Sequence, residues 1–263
     1  MPSHRPAPSR PVIIIPSRMA STRLPGKPLA DINGLPMIAR VLKQAEASKV
    51  GPVIVACDDA QVKAAVEKAG GKAVLTKPDH PSGSDRIWEA LNALEGNEAY
   101  DAVVNVQGDE PMLDPATIRA AWELLRNPET DIATLVDEFH DEQRKALPSM
   151  VKVALDVPPD AAKVGGKGRA LYFSRQIIPS GDGPIFHHIG LYAYRRDALA
   201  KFVAAPPSPL ERREKLEQLR ALSLGLRIDA AIVAEAHAGI DTPEDLERVR
   251  KALTRQIKGK QSR

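Results

Sequence analysis

Residues 12–27 read Val12-Ile13-Ile14-Ile15-Pro16-Ser17-Arg18-Met19-Ala20-Ser21-Thr22-Arg23-Leu24-Pro25-Gly26-Lys27. Four β-branched residues in succession, Val12 to Ile15, suit a strand buried on both faces, the kind that parallel sheets contain. Pro16 ends the run, and a long polar loop, Ser17 to Pro36, follows. Met37, Ile38, Val41, Leu42 and Ala45 then come at helical spacing. The alternation continues downstream. Val53 to Ala56, Ala73 to Leu75 and Ala102 to Val106 are strand candidates, and helical patterns occupy Val62 to Ala69, Ile87 to Leu94 and Ile118 to Leu125. Strands alternating with helices predict an α/β fold with a doubly wound, mainly parallel sheet.

The middle of the chain has a different rhythm. Ile132 to Val136, Val151 to Leu155, Ala170 to Phe173 and Ile189 to Tyr194 are four strand candidates with few helices between them. They predict antiparallel strands added to the sheet, or a subunit contact, within 130–220. Val157 to Gly168, rich in Gly, Pro and Lys, reads as a mobile loop. Ser208 to Leu224 reads as one charged helix, Ile228 to Ala234 as a late strand, and Thr242-Pro243 as the capped start of a helix carrying Leu246, Val249 and Leu253.

Composition bounds the function. The 263 residues carry 37 Lys and Arg against 34 Asp and Glu, a net charge of +3, with 43% hydrophobic residues. This is ordinary globular composition, and the length can bury a large core. The expectation is a single domain over 12–257, behind a flexible Pro- and Arg-rich tail at 1–11. No run approaches about 18 apolar residues, so no membrane association is expected, and the protein is expected in the cytoplasm. The near-balanced charge gives no reason to expect nucleic acid. Cys57 is the single cysteine, which excludes an intramolecular disulfide framework and a Cys-rich zinc site.

In open α/β sheets ligands sit at the carboxyl ends of strands. The loop after Ile15 holds Arg18, Arg23, Lys27, Ser17, Ser21 and Thr22. Guanidinium forks, an ammonium and loop N–H groups suit a polyphosphate; a solvated basic loop is the bland alternative. It is neither a Walker A loop nor a G-x-G-x-x-G dinucleotide fingerprint. The loop after Val106 delivers Gln107 and Asp109, with Gly108 allowing close backbone approach. Asp109 there suits a hard cation such as Mg²⁺, or simply a turn. Asp241 precedes a helix, where Thr242 can cap and Asp241 can favour the dipole; it is a second Mg²⁺ ligand if the fold brings it to Asp109. Ser82-Gly83-Ser84-Asp85-Arg86 opens a helix and suits either a base or ribose pocket or an ordinary N-cap. His187 and His188 are strand neighbours pointing to opposite faces, so they cannot chelate one ion together. Arg175 suits an acidic substrate or a surface salt bridge.

Together these stretches resemble one family. The first loop with Leu29, Asp31, Asn33, Gly34 and Pro36-Met37-Ile38, the run Ser82 to Arg86, Asn105 to Met112, Ala170 to Arg175, His188 to Arg195, Pro207 to Glu211, Leu216 to Arg220 and Asp241 to Leu246 look like the 3-deoxy-manno-octulosonate cytidylyltransferase (CMP-Kdo synthetase) family. The resemblance covers roughly 12–254. It implies a Rossmann-like nucleotidyltransferase fold, Mg²⁺, a homodimer formed through 130–220, and a place in lipopolysaccharide biosynthesis. The implied reaction is CTP plus 3-deoxy-D-manno-octulosonate (Kdo) giving CMP-Kdo and pyrophosphate. The resemblance places the nucleotide against Arg18, Ser21, Arg23, Lys27, Ser82, Gly83 and Arg86. It makes Lys27, Asp109 and Asp241 the catalytic set, with both aspartates as metal ligands. The sugar falls to Gln107, Arg175, His188, Tyr192, Glu217 and Gln218.

The sequence departs from the family pattern at Met19, usually Tyr, at Cys57, usually Thr, at Ser84-Asp85, usually Thr-Glu, and in a short Gly-rich stretch at Ile178 to Phe186. Two alternatives stand beside this reading: a cytidylyltransferase for another acidic 2-keto sugar such as 8-amino-Kdo or sialic acid, and a non-catalytic nucleotide-binding domain.

Overall fold

The computed structural model describes residues 5–234 and 239–261, with 256–261 as backbone. Contacts divide the chain, expected to form one domain over 12–257, into two compact units. The first comprises Ile13–Asn97, Val106–Pro115 and His237–Arg263. Its strand β1 (Pro11–Ser17) leads to a short hairpin, β2 (Asp31–Ile32) with β3 (Leu35–Pro36), and then to α1 (Met37–Ala47). Strand β4 (Val53–Cys57), helix α2 (Ala60–Lys68), strand β5 (Lys72–Leu75) and helix α3 (Gly83–Ala93) follow. The strands are parallel in the order β5-β4-β1, with Ile14 opposite Ile54 and Ile54 opposite Lys72. Val12 to Ile15 are fully buried, as a strand covered on both faces requires. Asp59 and Ser82 cap α2 and α3 by accepting the N–H groups of Gln61 and Asp85.

The second unit comprises Met1–Val12, Glu98–Asn105 and Ala116–Ala236. Strand β6 (Ala102–Asn105) and helix α4 (Pro115–Leu124) precede β7 (Ile132–Glu138), the short helix α5 (Glu142–Ala146), β8 (Lys152–Asp156), β9 (Lys167–Ser174) and β10 (Phe186–Arg195). Helices α6 (Arg196–Ala204), α7 (Pro209–Glu214) and α8 (Gln218–Ser223) lead to β11 (Ile228–Ile232). The strand order is β6-β10-β7-β11-β9-β8. Strand β10 runs antiparallel to β6 and β7, while β11 is parallel to β7 and antiparallel to β9. The four strands expected in the middle of the chain are therefore present, as antiparallel additions. Helix α9 (Pro243–Gln261) closes the chain in the first unit.

Three expectations are corrected here. The helix expected over 208–224 is two helices, because Lys215 adopts a left-handed backbone, φ 55°. The break turns the chain so that α8 buries Gln218, Leu219, Arg220 and Ala221, whereas α7 buries none of its residues. Arg220 then folds back as a two-pronged pair on Glu211 at 2.6 and 2.8 Å. The loop expected to be mobile at 157–168 is pinned: the Gly165 N–H donates to the Ile232 carbonyl and the Ile232 N–H to Gly166, both at 2.8 Å. The tail is tied over residues 5–10. Arg5 pairs with Asp131 and Asp197, the buried Arg195 donates to the Pro6 carbonyl at 2.8 Å, and the Ser9 and Arg10 N–H groups both donate to Asp101. These contacts satisfy backbone groups that a loose tail would leave to water.

Candidate nucleotide and metal site

Within the first unit, the carboxyl end of β1 opens onto a cleft of about 760 Å³. Its walls carry Arg18, Ser21, Arg23 and Lys27 from the loop after β1, Ser82, Gly83 and Arg86 from the start of α3, and Gln107, Asp109 and Asp241. Ten of the residues singled out in the sequence thus share one cavity.

Packing explains how Asp241 reaches Asp109. Ile240, Leu246, Val249 and Leu253 form one apolar cluster with Ile32 and Met37, and Leu24 and Met112 pack against it. Burying the apolar face of α9 therefore sets its first turn beside the loop after β1. The Ile240 N–H donates to the Asp109 carbonyl at 2.9 Å, which fixes the neighbouring backbone. The cap question is also resolved. Thr242 accepts the Asp245 N–H, and the Asp245 carboxylate accepts the N–H groups of Asp241 and Thr242. Capping falls to Thr242 and Asp245, and the Asp241 carboxylate turns toward the cleft.

There it shares a cation with Asp109. Lys27 Nζ lies 2.6 Å from Asp109 Oδ2 and 3.0 Å from Asp241 Oδ1, and Arg23 reaches Asp241 at 3.0 Å. Two carboxylates that meet on one ammonium nitrogen are placed to meet on one divalent ion, so the pair fits Mg²⁺. Among the described residues no group of three or more His, Cys, Asp or Glu side chains could hold a metal. Mg²⁺ takes one or two protein carboxylates and completes its shell with phosphates and water. Gly108 permits the approach: a Cβ there would stand 2.8 Å from the Pro16 carbonyl oxygen. Glu110, which the sequence reading passed over, is pushed up to about 8 by loss of hydration, with the Asp109 charge behind it.

Ser82 and Arg86 play a more local part than expected. Ser82 is the N-cap of α3. Arg86 lines the cleft, yet its guanidinium donates to Asp58, Thr76 Oγ1 and the Lys77 carbonyl. His80 lines the same wall and contacts Glu89, whose carboxylate also accepts the Lys77 N–H.

The remaining sugar candidates belong to the second unit. His188 and Tyr192 lie on β10 with ring centroids 5.4 Å apart, on either side of a bulge between Ile189 and Tyr192. Thr134 Oγ1 lies 3.0–3.1 Å from the carbonyls of Ile189 and Leu191 and from His188 Nε2. One hydroxyl proton serves the carbonyls, so the lone pair accepts from His188 Nε2–H. Burial lowers the His188 pKa to about 3, and His187 adds repulsion. Burial likewise raises Tyr192, with Tyr194 and Glu217 adding to the shift. His187 faces Asp137 at 2.8 Å, so the two histidines do diverge. Gln218 is buried in α8 next to Glu217. Arg175 differs from expectation. Its guanidinium donates to the carbonyls of Glu214, Pro148 and Lys215 at 2.9, 3.0 and 3.3 Å, and its own carbonyl accepts from the buried Lys152. Thr134, Glu214 and Lys152 carried no local motif that would have marked them, and Asp58, in the strand-end motif beside Cys57, was assigned no role.

The fold and the cleft define the class. A CMP:2-keto-3-deoxy-manno-octonic acid synthetase complexed with CTP superposes at TM-score 0.86, with 40% identity over 94% of this chain and all of that one. A 4-diphosphocytidyl-2C-methyl-D-erythritol synthase from Anaerococcus prevotii shares the fold alone, at TM-score 0.61 and 14% identity. The class is that of the nucleotidyltransferases, and the cytidylyltransferase family profile matches residues 12–228. The 3-deoxy-manno-octulosonate cytidylyltransferase of Rhodospirillum centenum is 56% identical over 94% of this chain and 95% of its own. That of Paramagnetospirillum magneticum is 54% identical over 92% and 97%. The chain belongs to the 3-deoxy-manno-octulosonate cytidylyltransferase family.

Proposed function

We propose that this protein transfers CMP from CTP to Kdo, releasing pyrophosphate and forming CMP-Kdo. The observation that carries the reading is the meeting of Asp109 and Asp241 on one cationic atom, across a cleft walled by Arg18, Arg23 and Lys27. Arg18, Ser21, Arg23 and Lys27 hold the triphosphate, and Ser82 and Gly83 line the wall for the nucleoside. The anomeric 2-hydroxyl of Kdo attacks the α-phosphorus of CTP in line, its oxygen bonds to phosphorus, and the bond to the β-phosphate oxygen breaks. Arg18, Arg23 and Lys27 stabilise the charge on the departing pyrophosphate. Asp109 and Asp241 would hold Mg²⁺, which would supply Lewis-acid charge withdrawal and favour ionisation of the attacking hydroxyl. The hydroxyl proton leaves to solvent.

For the sugar, Gln107 offers a polar group in the first unit; within the second unit, His188, Tyr192, Glu217 and Gln218 are polar groups suited to sugar hydroxyls. A neutral His188 fixed by Thr134 presents a constant hydrogen-bonding face. Arg175 serves as a brace of that wall, since three carbonyls take its donors. The test is pyrophosphate release from CTP plus Kdo, with and without Mg²⁺, beside 8-amino-Kdo and sialic acid. Release with Kdo that requires Mg²⁺ supports the reading. Release with another acceptor in preference moves the substrate, and CTP binding without release with any acceptor removes the catalytic assignment.

The same reading makes the protein a cytoplasmic homodimer serving lipopolysaccharide biosynthesis. Among the described residues no helix is long and apolar enough to cross a membrane. Leu147, Val164, Leu171, Ile177 and Leu210 are exposed and fall within 130–220. Leu75 alone among the exposed large apolar side chains of the described residues lies outside that stretch, which favours a contact between copies within 130–220. Light scattering should report twice the 28.5 kDa chain mass. A monomer at micromolar concentration would remove the dimer.

A further inference from the structure

One buried ion pair ties together two walls of the nucleotide cleft. Asp58 follows β4, and Arg86 projects from α3; their side chains are 9% and 5% exposed and meet at 3.2 Å. The second carboxylate oxygen of Asp58 accepts the Met19 backbone N–H at 2.9 Å. Met19 lies in the loop that carries Arg18, Ser21, Arg23 and Lys27. Arg86 in turn donates to Thr76 Oγ1 at 2.6 Å and to the Lys77 carbonyl at 3.1 Å, at the start of the segment that brings His80, Pro81 and Ser82 to the cleft. Thr76 also donates to the Cys57 carbonyl at 3.2 Å.

We infer that Asp58 is a positioning residue for the nucleotide. Through the Met19 N–H it sets the height of the cationic loop, and through Arg86 it locks that height to the wall opposite. A carboxylate is needed for this: its two oxygens face a guanidinium on one side and a backbone donor on the other, and charge strengthens both bonds. The contact at position 19 is made by the backbone, so it accepts Met where the family pattern has Tyr. Arg23 and Lys27 are tied to Asp241 and Asp109, but the stretch from Arg18 to Thr22 between β1 and those pairs would otherwise sample many arrangements before CTP bound. A fixed loop has already met that ordering cost.

The inference rests on the proposed binding of CTP by this loop, and the test separates the two. Asp58→Asn keeps the size but places an NH₂ group against Arg86 or Met19. An ester at residue 19, made by incorporating the α-hydroxy analogue of methionine, deletes the N–H donor and leaves the ion pair intact, so it reports even where Asp58→Asn fails to fold. Thr76→Val weakens the same cluster without touching the Met19 contact. The expected result is a rise of about tenfold in KM for CTP in the ester protein, with kcat within twofold, since a hydrogen bond to a charged group is lost from binding. Amide exchange at residue 18 and residues 20–22 should quicken in the absence of CTP, while exchange within β4 holds. Thr76→Val should lower Tm and leave KM unchanged. Wild-type KM and unchanged loop exchange in the ester protein would overturn the inference, as would a KM rise of equal size in Thr76→Val. Loop exchange that quickens in the ester protein, together with a wild-type protein that does not bind CTP, would support Asp58 as the loop anchor and reject the nucleotide reading alone.

Discussion

Lys27 Nζ and Asp109 Oδ2 meet at 2.6 Å although 82 positions separate the residues, and the same ammonium reaches Asp241 at 3.0 Å. The Lys27 side chain is 14% exposed, against 35% and 47% for the two carboxylates. A cation less exposed than the two acids it pairs with is placed to hold them together.

Replacing either acid should therefore stop chemistry without unfolding the chain. Asp109→Ala is expected to abolish pyrophosphate release and to keep the wild-type Tm within a few degrees, because a partly exposed side chain leaves no buried void. Near-normal Mg²⁺-dependent turnover by this variant would contradict the metal assignment.

Lys27→Met should lower kcat/KM for CTP by about 100-fold, the usual scale for losing one donor to developing charge. Titrating the variant with CTP by calorimetry shows how much of the loss is binding.

Chelating divalent ions with EDTA should remove activity, and adding Mg²⁺ back should restore it. Mn²⁺ binding, read by water-proton relaxation in the presence of CTP, should fall at least tenfold in Asp241→Asn, since one of two carboxylate ligands is lost.

Gly108→Ala should damage the site from the backbone. The added methyl would stand 2.8 Å from the Pro16 carbonyl, so either β1 or Asp109 must shift. A displacement near 1 Å at reacting groups costs about 100-fold in rate. Steady-state kinetics against a crystal structure of the variant would check both parts.

Acid should weaken the second unit through His188. Its folded pKa of about 3 lies below the ordinary 6.5, so the unfolded chain takes up a proton that the folded chain refuses. Stability attributable to this group is full above pH 6.5 and declines as pH falls toward 3, by at most about 1.4 kcal/mol per pH unit. Imidazole nitrogen shifts should show a neutral ring at pH 5, with the proton on Nε2. A ring protonated at pH 6 would refute the placement.

The parts legible in the chain were those that local chemistry states. Val12 to Ile15 announced a doubly covered strand, Thr242-Pro243 a helix start, and the stretch from Ser17 to Lys27 a cationic loop at the carboxyl end of that strand. The errors also have a local cause. Ser208 to Leu224 has helical composition throughout, and nothing in its pattern reveals that Lys215 leaves helical geometry so that Leu216 and Leu219 can be buried. The segment 157–168 has loop composition, and its hydrogen bonds to Ile232 come from a strand far along the chain.

Residue types and their order suffice for the α/β alternation, for the cationic loop and for naming Asp109 and Asp241 as acids at strand and helix ends, because propensity, capping and charge act over a few neighbours. Their meeting on Lys27, the turning of Arg175 onto backbone carbonyls and the Asp58 bond to Met19 depend on contacts between residues distant in sequence. Those arise when apolar faces such as that of α9 are buried together, and a pattern read along one dimension does not specify which faces will meet.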